Sequence, residues 1–390
     1  MDLTNPVTQA FTQALPKIEP PSQLHAHLSG SISRQCLHEI WAAKKAQDPA
    51  FSIEDPWVIM PPGKVDYTLQ TFFQVFSKSI YQLVTDAESI KYATTSVLND
   101  FYNDGVRYLE LRTTPRKSPD GSLSKEEYIL TVLECISSFQ PKSNQKKNQS
   151  QSKMTTNLIL SIDRSNDTAA DALETVNLAI AHRSKGIVGI DLCGNPSKGD
   201  VSIYRSAFEK ARSAGLGITV HFGETASSGT KEELETLLSY NPDRLGHVIH
   251  VPDEVKEEIE RRKLGLELCM SCNVHAKMID GGFLDHHFGH WRCGECPVVL
   301  STDDVGFFCS PVSNEYVLAA SHFELSRKDI LRICRKGIEA IFGGCAEKNR
   351  LWGLVDEFEG VKLESDKVDC VPSEADGCVV KTPRLEGGGR

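Results

Sequence analysis

Eight short apolar runs punctuate the chain, each bounded by turn residues and followed by a longer stretch with helical periodicity. They lie at 22–27 (SQLHAH), 106–113 (VRYLELRT), 157–163 (NLILSID), 186–194 (GIVGIDLCG), 217–224 (GITVHFGE), 244–250 (RLGHVIH), 265–272 (GLELCMSC) and 298–304 (VVLSTDD). Runs of this length read as strands buried on both faces, and their alternation with helical patterns is the signature of βα units around a parallel sheet. Eight such units predict an α/β fold of the (β/α)8 TIM-barrel type. Nearly every run ends in polar or ionisable residues. In such barrels the C-terminal strand ends gather at one face, so these residues are expected to converge on one pocket.

At 390 residues the chain fits one large barrel with insertions. A hydrophobic share of 40% and a charged share of 25% supply an ordinary globular core and exclude global disorder. The net charge of -10 argues against nucleic acid or an acidic membrane surface as partner, while local arginines still permit a small anionic substrate. No apolar run has the length of a signal peptide or a membrane span, so the expectation is a soluble, cytoplasmic protein, with a monomer as the default. Twelve cysteines in this length are too sparse for a disulfide scaffold and read mostly as reduced core thiols.

Residues 28–105 between the first two runs are too many for a simple crossover. With helical patterns around 67–83 and 86–103, they predict an inserted helical lid or flank. The polar stretch within 143–153 (SNQKKNQSQSK) reads as a flexible surface loop, and 364–390, without apolar periodicity, as a disordered tail. One barrel domain is expected over 1–363.

His25 and His27 stand one residue apart in the first run, so both imidazoles project to the same face and can reach one ion. Taken alone, such a pair is more commonly hydrogen-bonded core or surface histidines than a metal site. His221 in the fifth run, His247 in the sixth and Asp303 and Asp304 at the end of the eighth change the weighing. Three imidazoles and a carboxylate, with a position left for water, make a catalytic zinc site, and His25, His27, His221 and Asp303 fit that set. Zinc lowers the pKa of a bound water to about 7, after which the chemistry needs a carboxylic acid to shuttle protons. Glu224 is the candidate. Glu224 and Asp304 could each instead be carboxylates at a helix N-terminus.

The segments LHAHLSGS, DLCGNP, HFGE, RLGH and STDD have the order and spacing of the adenosine deaminase family, which the chain resembles from Gln23 to Leu354. Within it YLELRTTPR, LSIDR and the stretch from SCNV to HHFGHW look most like the adenosine deaminase-like branch, which acts on N6-methyl-AMP and related N6-substituted purine nucleotides. The resemblance implies one Zn2+ on His25, His27, His221 and Asp303. It also implies Glu224 giving a proton to purine N1, His247 orienting the attacking hydroxide, Gly194 approaching the ring and Asp304 bonding its N7 side. The products would be IMP and an amine. The branch's substrate contacts carry over to His27, Ser29, Tyr81, Thr113, Thr114, Pro115, Arg116, Asp163 and Gly194. Arg116 is an independent clue, because a guanidinium at the pocket mouth suits a phosphate better than a hydroxyl; an ordinary surface salt bridge is its other reading. Three positions depart from the family pattern: Ser29 for Asn or Asp, Tyr81 for His, and Gln23 for the Glu ahead of the paired histidines.

Adenosine or AMP deamination on the same site and a catalytically silent nucleotide-binding barrel are the alternatives. A barrel hydrolase with two metals and a bridging lysine lacks its lysine at the end of the fourth run. Cys269-x-x-Cys272 and Cys293-x-x-Cys296 have the spacing of a four-thiolate zinc site, but with the first pair in the seventh strand and the second just before the eighth, core packing accounts for them. His286, His287 and His290 read as packing residues of a loop or helix start.

Overall fold

In a computed structural model of the chain, residues 22–118, 120–140 and 153–360 are described, together with the pairs 371–372 and 378–379. Eight strands lie in one parallel sheet in sequence order: β1 (Ser22–His27), β2 (Tyr108–Thr113), β3 (Thr155–Asp163), β4 (Ile187–Cys193), β5 (Gly217–Phe222), β6 (Arg244–His247), β7 (Gly265–Leu268) and β8 (Val298–Leu300). Ala26 pairs in parallel with Asp303, and the Asp303 N–H donates to His25 O at 2.9 Å, so the first strand meets the chain leaving the last. The fold is a (β/α)8 barrel.

Helices follow the strands and cover the sheet, including Lys125–Ser138, Ala169–Ala181, Arg205–Ser213 and Lys231–Ser239. Their starts are written in the sequence. Ser124 with Glu127, and Thr168 with Asp171, form reciprocal capping boxes that satisfy otherwise orphaned N–H groups. Leu24, Ala26, Leu109, Leu111, Ile190 and Val220 are fully buried between the sheet and these helices. Alternation along each strand then turns Gln23, His25, Glu110, Arg112, Asp191, Thr219, Arg244 and Glu267 toward the barrel axis, where they too are fully buried.

The segment after β1 is helical as expected, through Arg34–Gln47, Leu69–Val75 and Ala87–Asn103. Leu69–Val75 runs into a π-helical turn, Phe76–Ile80, which delivers Tyr81. Phe72 and Phe76 pack against Phe307, the first tilted and the second stacked, with ring centroids 4.7 and 4.9 Å apart. The insertion is thereby held against the segment just beyond β8, at the end of the barrel where the ionisable residues gather.

Two strands are shorter than their apolar runs. β7 stops at Leu268, and Met270–His275 is a helix, opened by the Asn273 N–H donating to Cys269 O at 2.9 Å. β6 stops at His247, because His247 and Val248 adopt φ of 64° and 58°, outside the extended range. Most of the expected loop within 143–153 and of the tail at 364–390 lies outside the described residues. The exceptions are Lys153 and an antiparallel pairing of Val371–Pro372 with Cys378–Val379. No helix among the described residues is long and apolar enough to cross a membrane.

Candidate active site

Four imidazoles and a carboxylate meet at the C-terminal end of the barrel: His25 and His27 from β1, His221 from β5, His247 from β6, and Asp303 just past β8. His27 Nε2 lies 3.1 Å from His221 Nε2, and Asp303 Oδ1 lies 3.4 Å from His25 Nε2 and 3.5 Å from His27 Nε2. Four ligands of a tetrahedral cation, each at roughly 2.0–2.2 Å, stand about 3.3–3.5 Å apart. These three spacings are close to the edges of such a tetrahedron. Two imidazole nitrogens at this distance share one proton, with His221 donating to His27, or share a cation in its place. His25 Nε2 is buried with no hydrogen-bond partner, as expected of an atom reserved for coordination.

The electrostatics follow from crowding. Burial draws His27 down to about 3. Burial also opposes protonation of His221, but the Asp191 carboxylate beside it prevails and lifts the ring to about 9. The second proton on His221 is one that a bound cation would displace. Asp303 is buried, yet the neighbouring His25 and His247 hold it well below the usual carboxylate range.

Beneath this cluster lies a layer of buried charge that sequence reasoning missed. His25 Nδ1 donates to Glu267 Oε2 at 2.7 Å, and His221 Nδ1 donates to Leu192 O at 2.9 Å with Asp191 Oδ1 at 3.2 Å. Arg112 bridges both carboxylates, donating to Glu267 Oε2 at 2.7 Å and Asp191 Oδ1 at 3.2 Å. Arg244 donates to the other Glu267 oxygen at 2.7 Å and is ion-paired with Glu110 at 2.6 Å. A carboxylate behind a histidine holds its ring in place and leaves Nε2 for the metal. The clue was present: charged residues inside YLELR, GIDLC, RLGH and GLEL are out of place in doubly buried strands.

Small residues and the strand seam complete the support. A Cβ on Gly246 would sit 2.7 Å from the His25 ring, so β6 must carry glycine for His25 to fit. Gln23, which departs from the family pattern, is fully buried. It donates to Thr302 Oγ1 at 2.7 Å and accepts from the His25 N–H at 3.2 Å, bracing the seam between β1 and the end of β8.

Glu224 follows β5 in a loop, well ahead of the helix that Thr230 caps, so it is not a helix-start carboxylate. Burial, reinforced by Asp303, lifts its carboxyl to about 7 although His221 opposes this, and Oε2 has no partner. Asp304 occupies the N-cap position of Val305–Phe308, but its side chain makes no cap hydrogen bond and Oδ1 is unpartnered. Burial, with Asp303 and Glu224 nearby, holds Asp304 protonated well above the usual carboxylate range. His247 Nε2 is buried and unpartnered, 3.9 Å from Glu224 and 3.8 Å from Asp303, and burial keeps this ring neutral.

The remaining predicted contacts line the rim. The Arg116 guanidinium lies 3.7 Å over the Tyr81 ring with Nη1 unpartnered, and Tyr81 is within electrostatic reach of Asp163, Cys193 and Asp304. Thr114 Oγ1 lies 3.6 Å from Cys193 Sγ, and Pro115 is buried beside it. Gly194, at φ 101°, has Asp163 Oδ1 only 2.1 Å from where a Cβ would stand, so only glycine fits there. Ser29 lies in the short turn Leu28–Ser31 after β1. The Thr113 hydroxyl is 2.7 Å from Tyr128 OH, and both residues are buried.

The cysteine pairs are free thiols, and no four-thiolate cluster occurs among the described residues. Cys272 belongs to the helix after β7, not to the strand, and its thiol donates to Asp303 Oδ2 at 3.0 Å. His286 and His287 also belong to the site's surroundings: His287 Nε2 donates to His247 O at 2.5 Å, and His286 meets Asn273 at 3.1 Å.

Comparison with known proteins gives a consistent result. The family model described as adenosine deaminase matches residues 20–358. A protein named N6-mAMP deaminase from Arabidopsis thaliana is 34% identical over 359 residues, covering 89% of this chain and 98% of its own. The N6-Methyl-AMP deaminase of Danio rerio is 34% identical over 350 residues, covering 87% and 94%. The crystal structure of Arabidopsis ADAL complexed with IMP superposes with a TM-score of 0.80 at 32% identity, covering 88% of this chain and 98% of that one.

Proposed function

The chain belongs to the adenosine deaminase family, and on that premise we propose that it is a zinc-dependent hydrolase converting N6-methyl-AMP and related N6-substituted purine nucleotides, with water, into IMP and the free amine. His25, His27, His221 and Asp303 would hold the ion. When bound there, zinc supplies a water acidified to about pKa 7 and a Lewis acid. The residues around it supply the rest.

Glu224, with a carboxyl near 7, is partly protonated at neutral pH and can hand a proton to purine N1 as C6 is attacked. His247 faces the same space from the other side and orients the attacking oxygen. Asp304, held as the neutral acid, presents an O–H to N7, a lone-pair acceptor that a carboxylate would repel. Glycine at 194 lets the backbone approach the flat ring.

The preference for a nucleotide rests on one observation: the unpartnered guanidinium of Arg116, stacked at 3.7 Å on Tyr81 at the rim. Stacking leaves its edge N–H groups free for a phosphate. The relatives named as N6-methyl-AMP deaminases support the same reading. Offering N6-methyl-AMP, AMP and adenosine in parallel, with product masses and bound metal measured, tests it. Turnover favouring the N6-methyl nucleotide with one zinc per chain is the expected result, and a preference for adenosine would overturn it.

A further inference from the structure

His25, His221 and His247 all present Nε2 to one centre, and with Asp303 their donor atoms lie within 4.8 Å of one another. Distance alone groups His247, rather than His27, with His25, His221 and Asp303, so distance does not decide which ring is the ligand. The partners at Nδ1 separate these rings. His25 and His221 each face an acceptor there, Glu267 and the Leu192 carbonyl, so each carries its proton on Nδ1 and offers a lone pair at Nε2. His247 Nδ1 instead faces Asn273 Nδ2 at 3.0 Å.

Which end of the Asn273 amide faces His247 is decided further out. The Phe288 backbone N–H, which can only donate, points at His286 Nδ1 at 3.0 Å. His286 Nδ1 must accept, so the proton of His286 sits on Nε2 and is donated to Asn273 at 3.1 Å. The atom receiving it is Oδ1, and the NH2 end is left to donate to His247 Nδ1. All three side chains are essentially buried, so water does not substitute for any link.

We propose that Asn273 and His286 are positioning residues: through this one-way chain of donors they keep the proton of His247 on Nε2. That makes His247 a hydrogen-bond donor to the reacting oxygen and keeps it out of the metal shell. The inference rests on His247 acting in the reaction proposed above, but the tautomer can be read without any turnover. The Asn273→Asp substitution preserves shape while replacing the donor by an acceptor, so it inverts the tautomer and turns a lone pair toward the ion.

The test is 15N NMR of histidine-labelled, zinc-loaded protein together with steady-state kinetics. In the unaltered protein His247 should give the signature of an unprotonated Nδ1 and a protonated Nε2. Asn273→Asp should exchange the two signals and lower kcat by about 100-fold or more with little change in KM, whereas Asn273→Ala, which leaves the tautomer free, should lose less, about tenfold. His286→Gln, which keeps a donor toward Asn273, should hold activity better than His286→Phe. Asn273 serving packing alone would make Ala worse than Asp, and that order would overturn the proposal. An unaltered protein with the proton on His247 Nδ1 would overturn it whatever the kinetics. A correct tautomer with no deaminase activity would keep the relay and reject the reaction instead.

Discussion

The two sides of the histidine cluster are built on opposite rules. Below it, Arg112, Arg244, Asp191, Glu267 and Glu110 are joined by ion pairs of 2.6–3.2 Å in the sealed barrel interior, although Arg112 Nε has no hydrogen-bond partner. Above it, Glu224 Oε2, His247 Nε2, Asp304 Oδ1 and Arg116 Nη1 are buried polar atoms with no protein partner. An unpaired buried polar group is costly, on the order of 1–3 kcal/mol, so a cluster of them marks where a ligand completes the hydrogen bonding. On the proposed function, the lower layer would hold the metal ligands in place and the upper one would meet the substrate. The same residue types, mainly Asp, Glu and Arg, occur in both, and the close ion pairs of the lower layer distinguish it from the upper one.

That contrast can be broken from either side. Above the cluster, Glu224→Gln should lower kcat by about 10²- to 10⁴-fold, because proton delivery is lost. Zinc content and melting temperature should stay near those of the unaltered protein, and elemental analysis with thermal unfolding checks this. Below it, Glu267→Ala should act the other way round. Leaving Arg112 and Arg244 without their shared carboxylate is expected to destabilise the fold by about 3–5 kcal/mol, and losing the group behind His25 should weaken metal affinity about 10- to 100-fold. Denaturant unfolding and competition with a chelator measure the two effects.

Arg116→Ala should raise KM for nucleotides and leave nucleosides nearly unchanged, a loss of about 1.5–3 kcal/mol for one charge-assisted contact. Equal effects on both substrates would remove Arg116 from phosphate binding. The smallest effect is a sharpening one. Glu224 must be protonated to donate, and burial places its carboxyl at about 7. Loss of this proton should make activity fall about tenfold per pH unit above that value, and Glu224→Gln should abolish that limb of the profile.

Much of this arrangement is legible in the sequence because strand ends are. His25, His27, His221 and Asp303 terminate apolar runs, and in a parallel barrel that alone brings them to one face. The supporting layer was harder to see. Glu110, Arg112, Asp191 and Glu267 look like interruptions of apolar strands, and only the closure of the barrel reveals that they answer one another across its axis. Asn273 escaped for a different reason. The run from Gly265 to Cys272 reads as continuous strand, and the turn into helix at Met270 that aims Asn273 at His247 has no cap residue to announce it. The bond between the Thr113 and Tyr128 hydroxyls was not legible either, because it is a pairing set by tertiary packing alone.

Anomalous diffraction at the zinc absorption edge, on crystals of the purified protein, tests the central claim most directly. The account predicts one peak, bonded at about 2.0–2.2 Å to His25 Nε2, His27 Nε2, His221 Nε2 and an Asp303 oxygen, with His247 Nε2 outside bonding distance. A peak elsewhere, or one coordinated by His247 in place of His27, would contradict it.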